Sequence, residues 1–159
     1  MRIYTVGYGN RGFPAFVELL RLFAVTHVVD VRRVPESSYW KDFSRASLVK
    51  LVPQAGFKYV FMGDTLGAAR GLPADSKVAS VFNLGIERLL SAATTPERTL
   101  CLMCGCMKPN SCHRYSLISP ALIAAGVEIA HIGPKNELLS QQEVAAEVAQ
   151  HQQTLFESI

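Results

Sequence analysis

Short runs of β-branched residues alternate with amphipathic segments along the 159-residue chain, and this alternation constrains its fold more than any other feature. Five runs predict strands: "IYTVGY", "HVVDV", "FKYVFM", "TLCLMC" and "VEIAHI". Between them apolar residues recur at helical spacing, which is typical of βα units that build a parallel sheet. We predict an α/β fold, a single-domain three-layer sandwich with a mainly parallel central sheet of about five strands.

Local signals place the helix ends. Ser44 is a suitable N-cap for the helix after strand two, and Gly56 ends that helix. Residues 63–74 have the composition of a loop, and Asp75 or Ser76 caps the long helix that follows.

Length and composition narrow the class of protein. A chain of this length suits one domain, so we assign residues 1–135 to the α/β domain and residues 136–159 to a C-terminal helical extension packed on it. The hydrophobic content of 49% and charged content of 18% are those of a globular chain rather than a disordered one. The net charge of +3 is low for a dedicated nucleic-acid binder.

We expect a cytoplasmic protein without a membrane partner. The first residues, "MRIYTVGYG", lack the apolar core of a signal peptide. The most apolar later stretch is broken by Pro120, Gly126 and Glu128, and is too short to span a bilayer. Thiols stay reduced in the cytoplasm, so the four cysteines predict free, catalytic or metal-binding thiols rather than disulfides.

The ligand crevice of a parallel sheet lies at the carboxyl ends of its strands. The loops that leave strands one, two and four carry the polar residues that we predict to bind a ligand: Tyr8, Asn10, Arg11, Asp30, Arg32 and Arg114. Arg32 and Arg114 are the predicted donors to an anion, and Asp30 is predicted to orient Arg114 or His113.

The stretch "GYGNRG" after strand one matches a dinucleotide-binding fingerprint, with Asp30 as the ribose-binding acid. Pro14 opposes this interpretation, because the fingerprint opens its helix within the glycines and a proline would then fall where an amide is needed. A helix that begins near Phe13 or Pro14 leaves the glycines in a loop.

The segment "CLMCGCMKPNSCHRYS" holds all four cysteines. Cys101 lies inside a strand and is predicted to be a core residue. Where the loop enters a helix, exposed amides and the helix dipole favour a thiolate. We therefore predict Cys104 or Cys112 as a nucleophile and His113 as a proton donor or charge stabiliser, in a cysteine-dependent transferase or hydrolase acting on an anionic substrate.

Two further mechanisms fit this segment less well. The phosphatase loop requires a cysteine six positions before Arg114, where Lys108 stands. Zinc requires four ligands, and the spacing C-x-C-x5-C-H puts Cys112 and His113 side by side. We therefore assign no metal ligand and expect no cofactor, with a small zinc-binding interaction domain as an alternative.

Three stretches carry a resemblance to a known family: "TVGYGNRGFPAFVELL", "HVVDVRRVPESSYWKDFSRASL" and "LMCGCMKPNSCHRYSLISPALIAAGVEIAHI". Together they resemble the domain of unknown function 488 family, which implies a compact α/β domain with a Cys-His-Arg motif and no assigned activity. The chain departs from the family at Cys106, an added sulfur, and at Pro120, where we expect a kinked helix that Ser119 caps again. The element order is also similar to rhodanese-like domains, at the level of the fold.

The loop after strand two interleaves basic and aromatic residues: Arg32, Arg33, Tyr39, Trp40, Lys41, Phe43 and Arg45. Such a loop binds nucleic-acid phosphates and bases, or else its aromatics cover the sheet edge. The sequence thus favours a phosphate-bearing or other anionic ligand at the strand ends, with thiol chemistry. A non-catalytic nucleotide or nucleic-acid binding module is an alternative, and the oligomeric state stays open, a homo-oligomer included.

Overall fold

A six-stranded sheet forms the centre of the computed structural model, which describes residues 1–67 and 77–158. Its strands are β1 (Arg2–Gly7), β2 (His27–Asp30), β3 (Lys58–Phe61), β4 (Leu100–Cys104), β5 (Glu128–Ile132) and β6 (Leu138–Leu139). The order is β3-β2-β4-β1-β5-β6, and all neighbours pair in parallel except β5 and β6. The predicted α/β fold with a mainly parallel sheet is confirmed, and β6 is a strand that the sequence analysis did not predict.

The helices are α1 (Phe13–Leu22), α2 (Arg45–Gln54), α3 (Gly63–Leu66), α4 (Lys77–Ala93), α5 (Ser119–Ala124) and α6 (Gln141–Glu157). Ser44 caps α2 as predicted, because its hydroxyl accepts the Ser47 N–H at 3.4 Å. Gly56 follows α2 with a φ of +98°, a conformation that favours glycine. The predicted loop at residues 63–74 instead begins with α3, and Asp75 and Ser76 lie outside the described residues.

Two apolar layers cover the sheet. On one face Phe16 and Leu20 of α1 and Leu48 of α2 pack against strand residues such as Val28. On the other face Leu89 of α4 and Leu122 of α5 pack against residues such as Leu102. The connection after β1 therefore enters one layer and the connection after β4 enters the other. The connection after β2 enters the same layer as that after β1, because Leu48 and Val52 of α2 belong to it. Since β2 and β4 are neighbours, the loops that leave them diverge, which makes their carboxyl ends a switch point of the α/β sheet.

The helix after the cysteine segment is not uniform. Residues Arg114–Ile118 form a π-helical turn, and α5 begins directly after it. The Ser119 hydroxyl donates to the Arg114 carbonyl at 2.6 Å, and Pro120 stands in the first turn of α5. The sequence analysis expected a kink at Pro120, and the structure places a change from π to α hydrogen bonding there.

The C-terminal segment is attached to the sheet through β6 and α6. Ser140 and Glu143 form a capping box at the start of α6, and Val144 on this helix is fully buried. Gln141 accepts from His131 at 2.8 Å and donates to the Tyr115 carbonyl at 3.1 Å. The division of the chain at residue 135 stays a prediction. Within the described residues, every helix is too short or too polar to cross a bilayer.

His131 makes the stability of the fold dependent on pH. It is fully buried, and its ring nitrogens contact Thr5 at 2.7 Å and Gln141 at 2.8 Å. Burial lowers the pKa of His131 below its ordinary value of 6.5. As the pH falls below this value the unfolded chain takes up a proton that the folded chain resists, so the free energy of unfolding falls by at most about 1.4 kcal/mol per pH unit.

Urea unfolding between pH 7.5 and 5 tests this expectation. We expect the His131→Gln variant to lose stability less steeply on acidification than the wild type. The matched control is His151→Gln, at an exposed position on α6, which should keep the wild-type slope. Parallel curves for His131→Gln and the wild type would contradict the expected role of His131.

Candidate functional site

A pocket of about 390 Å³ lies at the carboxyl ends of β2 and β4. We name it the cysteine pocket, and its lining is Arg32, Arg33, Val34, Gly67, Cys104, Gly105, Cys106, Ser111, Cys112 and His113. Four of the predicted site residues therefore share one cavity: Arg32, Cys104, Cys112 and His113. Their proposed roles in binding and catalysis stay predictions.

Three sulfur atoms meet in the wall of the pocket. Cys104 ends β4, and the chain turns back so that Cys112 Sγ lies 2.8 Å from Cys104 Sγ. The sulfurs of Cys104, Cys106 and Cys112 all lie within 4.8 Å of one another. The spacing in sequence is not that of a standard zinc motif, yet the loop brings the three sulfurs together, and such a cluster is a set of soft metal ligands.

His113 is oriented toward Cys112. Its Nε2 lies 2.8 Å from the Val31 carbonyl, which only accepts, so this nitrogen carries the proton. In the neutral ring Nδ1 is then an acceptor, and it lies 3.6 Å from Cys112 Sγ. The pair is arranged as a thiol next to a base that can take its proton.

Arg114 lies behind the cysteine loop and is fully buried. Its Nη2 donates to the Cys106 carbonyl at 3.2 Å, while Nε and Nη1 have no hydrogen-bond partner among the described residues. The ion pairs of those residues are Arg2–Glu128, Arg21–Glu18 and Arg32–Asp30, so no carboxylate neutralises Arg114. A buried unpaired cation is costly, and the nearby thiols are the groups that can balance it by losing a proton.

The four thiols differ in acidity. The hydrogen bond with Cys104 lowers the pKa of Cys112, helped by the backbone N–H and the charge of Arg114 against the opposing effect of burial. For Cys104 a hydrogen bond with Cys106 acts downward, but the bond with Cys112 and burial raise the pKa to about 11. The pKa of Cys106 is raised, first by its hydrogen bond with Cys104. Burial raises the pKa of Cys101 to about 12, so Cys112 is the thiol that ionises most easily.

Asp30 holds Arg32 at the edge of the pocket. Arg32 donates its Nε–H and an Nη2–H to the two oxygens of Asp30, at 2.8 and 2.6 Å. Tyr59 also donates to Asp30 at 2.7 Å, and burial followed by this bond raises the pKa of Tyr59, which keeps the phenol protonated. Arg32 Nη1 donates to the Tyr8 hydroxyl at 3.3 Å. Part of the five-donor guanidinium remains to face a ligand.

The structure corrects the expected partner of Asp30. Asp30 pairs with Arg32, not with Arg114 or His113, because the short step from strand end to position 32 returns the guanidinium to the carboxylate. Asp30 and Arg114 are both fully buried and do not line the cysteine pocket. A ligand in the pocket would therefore contact Arg32 directly, whereas Arg114 would act on it only through the electrostatic effect of its charge.

The predicted site residues after β1, Tyr8, Asn10 and Arg11, are not among the described residues that line the cysteine pocket. Tyr8 stacks on Phe43 with a ring separation of 4.1 Å and supports Arg32 from behind. Asn10 is exposed and outside the pocket lining. The guanidinium of Arg11 faces the turn after β5, where it donates to the Gly133 carbonyl at 2.6 Å and to the Asn136 side chain. Arg11 therefore makes structural hydrogen bonds and lies outside the described lining of the cysteine pocket, and its predicted contact with a ligand stays a prediction.

The structure explains the positions of the glycines in "GYGNRG" without a bound nucleotide. α1 begins at Phe13, so Gly9 and Gly12 precede the helix, whereas Gly7 ends β1. A Cβ on Gly7 would lie 1.6 Å from the Cys106 carbonyl oxygen and 3.2 Å from Arg114 Nη2. Gly7 therefore makes room for the cysteine loop and not for a pyrophosphate, which agrees with rejecting the dinucleotide fingerprint.

The aromatic loop after β2 is partly core. Phe43 is fully buried and Trp40 packs against the same cluster, which favours the interpretation that these aromatics cover the sheet. Arg45 lies 3.9 Å above the Phe61 ring. Tyr39, with 82% of its surface exposed, stays available to a ligand.

Some pocket residues were missed in the sequence. Gly67 and Ser111 line the pocket, but neither carries a signal beyond turn composition. A Cβ on Gly67 would lie 2.6 Å from the Cα of Arg33, so this glycine allows the end of α3 to approach the loop after β2. Such a contact is visible only in three dimensions.

Fold and site together define an α/β domain with a cysteine cluster at its switch point. The chain matches the family described as Domain of unknown function DUF488 over residues 13–119, and it belongs to that family. The match includes β2, β4 and the Cys-His-Arg motif, whereas β1 and β5 lie outside it. No curated protein and no solved structure gives a significant match, and the expected similarity to rhodanese-like domains is not shown.

The Asp30–Arg32 pair yields a stability prediction. Both side chains are buried, so Asp30→Asn removes the charge that balances Arg32 and should lower the free energy of unfolding by about 3–5 kcal/mol. Tyr59→Phe is the control, since it removes only one hydrogen bond to the Asp30 carboxylate and should cost about 1.5–3 kcal/mol. Equal losses in urea unfolding would show that the ion pair does not anchor this edge of the pocket.

Proposed function

We propose that the protein binds a phosphate-bearing or other anionic ligand in the cysteine pocket and that Cys112 reacts with it as a thiolate. The observation that carries this proposal is the position of Cys112 between a hydrogen-bond donor, Cys104, and a base, His113, in a wall shared with Arg32. We place this chemistry in the cytoplasm, where thiols stay reduced.

The charges in and around the pocket support an anionic ligand. Arg32 and the exposed Arg33 line it, and the unpaired charge of Arg114 lies behind Cys106. Among the described residues that line the pocket none is acidic, and the Asp30 carboxylate that neutralises Arg32 is fully buried behind it. The net field therefore attracts an anion.

The chemistry follows from the Cys112–His113 pair. His113 Nδ1 takes the thiol proton, and Cys112 Sγ forms a bond to the electrophilic atom of the ligand. The bond from that atom to the leaving group breaks, its electron pair goes to the leaving group, and His113 returns the proton there. Water or another hydroxyl acceptor then attacks the same atom and gives its proton to His113 Nδ1, while the bond from that atom to Cys112 Sγ breaks and its electron pair returns to the sulfur. Cys104 stabilises the Cys112 thiolate by donating its S–H.

Alkylation by iodoacetamide, in the presence of a metal chelator, tests the activation of Cys112. Exposure alone predicts that Cys106 reacts first, because Cys106 is half-buried whereas Cys112 is only 2% exposed. We expect Cys112 to react first instead, since its thiolate is stabilised, and phosphate or sulfate to slow the reaction. Mass spectrometry of the modified peptide identifies the residue.

Two variants control this experiment. Cys104→Ala removes the S–H donor and should slow the alkylation of Cys112, and Arg33→Gln should weaken protection by the anion without changing the unprotected rate. Preferential labelling of Cys106, or labelling of Cys112 that anions leave unchanged, would overturn the proposal.

A nucleic-acid end is the second candidate ligand, and the exposed Tyr39 favours it. Tyr39 follows Arg33 and Val34 of the pocket lining in the same loop. Base stacking on an aromatic contributes about 1–3 kcal/mol, so Tyr39→Ala should weaken binding of a fluorescent 5′-phosphorylated single-stranded oligonucleotide by about 5- to 150-fold. Unchanged fluorescence polarisation curves for Tyr39→Ala would remove this candidate and leave the small anion.

A further inference from the structure

We propose that Cys104, Cys106 and Cys112 bind one Zn²⁺ ion through their sulfurs, and that the bound ion withholds Cys112 from reaction. Zinc binding itself is independent of the proposed function, whereas the inhibition rests on it. The starting observation is that three sulfurs lie within 4.8 Å of one another at the wall of an open pocket.

The separations suit a zinc ion after a small adjustment. A Zn–S distance of about 2.3 Å in tetrahedral geometry places sulfurs ~3.8 Å apart. The sulfurs of Cys104, Cys106 and Cys112 lie within 4.8 Å of one another, a range that includes this separation. Cys104 and Cys112 would separate from the present 2.8 Å, a change that rotation about side-chain bonds provides.

Charge balance is the second, independent observation. With neutral thiols the guanidinium of Arg114 is fully buried and has neither a carboxylate partner nor a hydrogen bond to Nε or Nη1 among the described residues. Three thiolates and Zn²⁺ together carry one negative charge, which neutralises Arg114. Each coordinating thiol releases its proton to solvent as the ion binds. The buried cation thus favours this negatively charged metal–sulfur centre.

The backbone of the three ligands is already in place. The Cys104 carbonyl accepts the Tyr8 N–H at 3.0 Å, and the Cys112 N–H donates to Pro109 at 3.1 Å. The Cys106 carbonyl is held by Arg114 and lies directly above Gly7. Because the backbone around the three cysteines is already ordered, binding of the ion costs little conformational entropy.

The fourth position on the ion borders the pocket, where His113 Nδ1 lies 3.6 Å from Cys112 Sγ. Its Nε2 contact with the Val31 carbonyl is the support that metal-binding histidines usually have. His113 Nδ1 lies outside the group of three mutually close sulfurs, and we assign it as the fourth ligand after its ring turns toward the ion.

Competition against a chromogenic zinc chelator tests the site on the full-length reduced protein. We expect one Zn²⁺ per chain, and at least about 100-fold weaker binding for Cys106→Ser, because loss of a direct ligand exceeds the effect of an outer-shell change. Cys101→Ala is the matched control, since it removes a buried thiol that packs with the opposite layer and should leave zinc binding unchanged. Circular dichroism confirms that each variant is folded.

Cobalt substitution and alkylation complete the test. Co²⁺ should give thiolate-to-metal charge-transfer bands in the wild type, and His113→Ala should keep these bands but shift the visible ligand-field bands. Zinc should block alkylation of Cys112 in the wild type but not in Cys106→Ser, which retains Cys104, Cys112 and His113. Binding that is unchanged in Cys106→Ser, or no binding at all, would overturn the inference.

The two proposals can fail separately. If zinc does not bind but phosphate protects Cys112, the metal site is wrong and the proposed function stands. If zinc binds and phosphate does not protect Cys112, the metal site stands and the proposed function is wrong.

Discussion

The buried guanidinium of Arg114 is the constraint on which the candidate site depends. It is fully buried beneath the cysteine loop, holds the Cys106 carbonyl and lacks a carboxylate partner among the described residues. Gly7 must stay without a side chain for this packing to exist. The positive charge then acts on every sulfur around it, so the same contact that shapes the loop also makes a thiolate easier to form.

The order of the strands explains why this chemistry lies where it does. β2 and β4 are neighbours whose outgoing connections enter opposite layers, so the loops that follow them diverge and leave the cysteine pocket between them. Arg32 borders the pocket on the β2 side, and the cysteine loop borders it on the β4 side. The sheet thus brings together residues that are more than 70 positions apart in the chain, on rigid elements that fix their separations.

The sequence predicts the fold well because strand composition and helix caps are local signals. The five strands of the main sheet, the Ser44 cap and the Gly56 terminator follow from neighbouring residues. Strand β6 was not predicted because two leucines before a capping serine are too short a stretch to show the apolar–polar alternation of a strand. The direction of long side chains was not predictable either: Arg32 and Arg114 both follow strand ends, yet one pairs with Asp30 and the other is enclosed. The meeting of Cys106 with Cys104 and Cys112 depends on the path of a loop, which spacing does not encode.

The clamp made by Arg11 links the end of the chain to the cysteines. Arg11 donates to the Gly7 carbonyl at 3.2 Å and also holds Gly133 and Asn136, the latter in a left-handed conformation with a φ of 63°. Gly7 in turn lies against the Cys106 carbonyl. The turn before β6 and the loop of sulfurs are therefore anchored to the same end of β1, the turn through the Arg11 side chain and the loop through its close packing on Gly7.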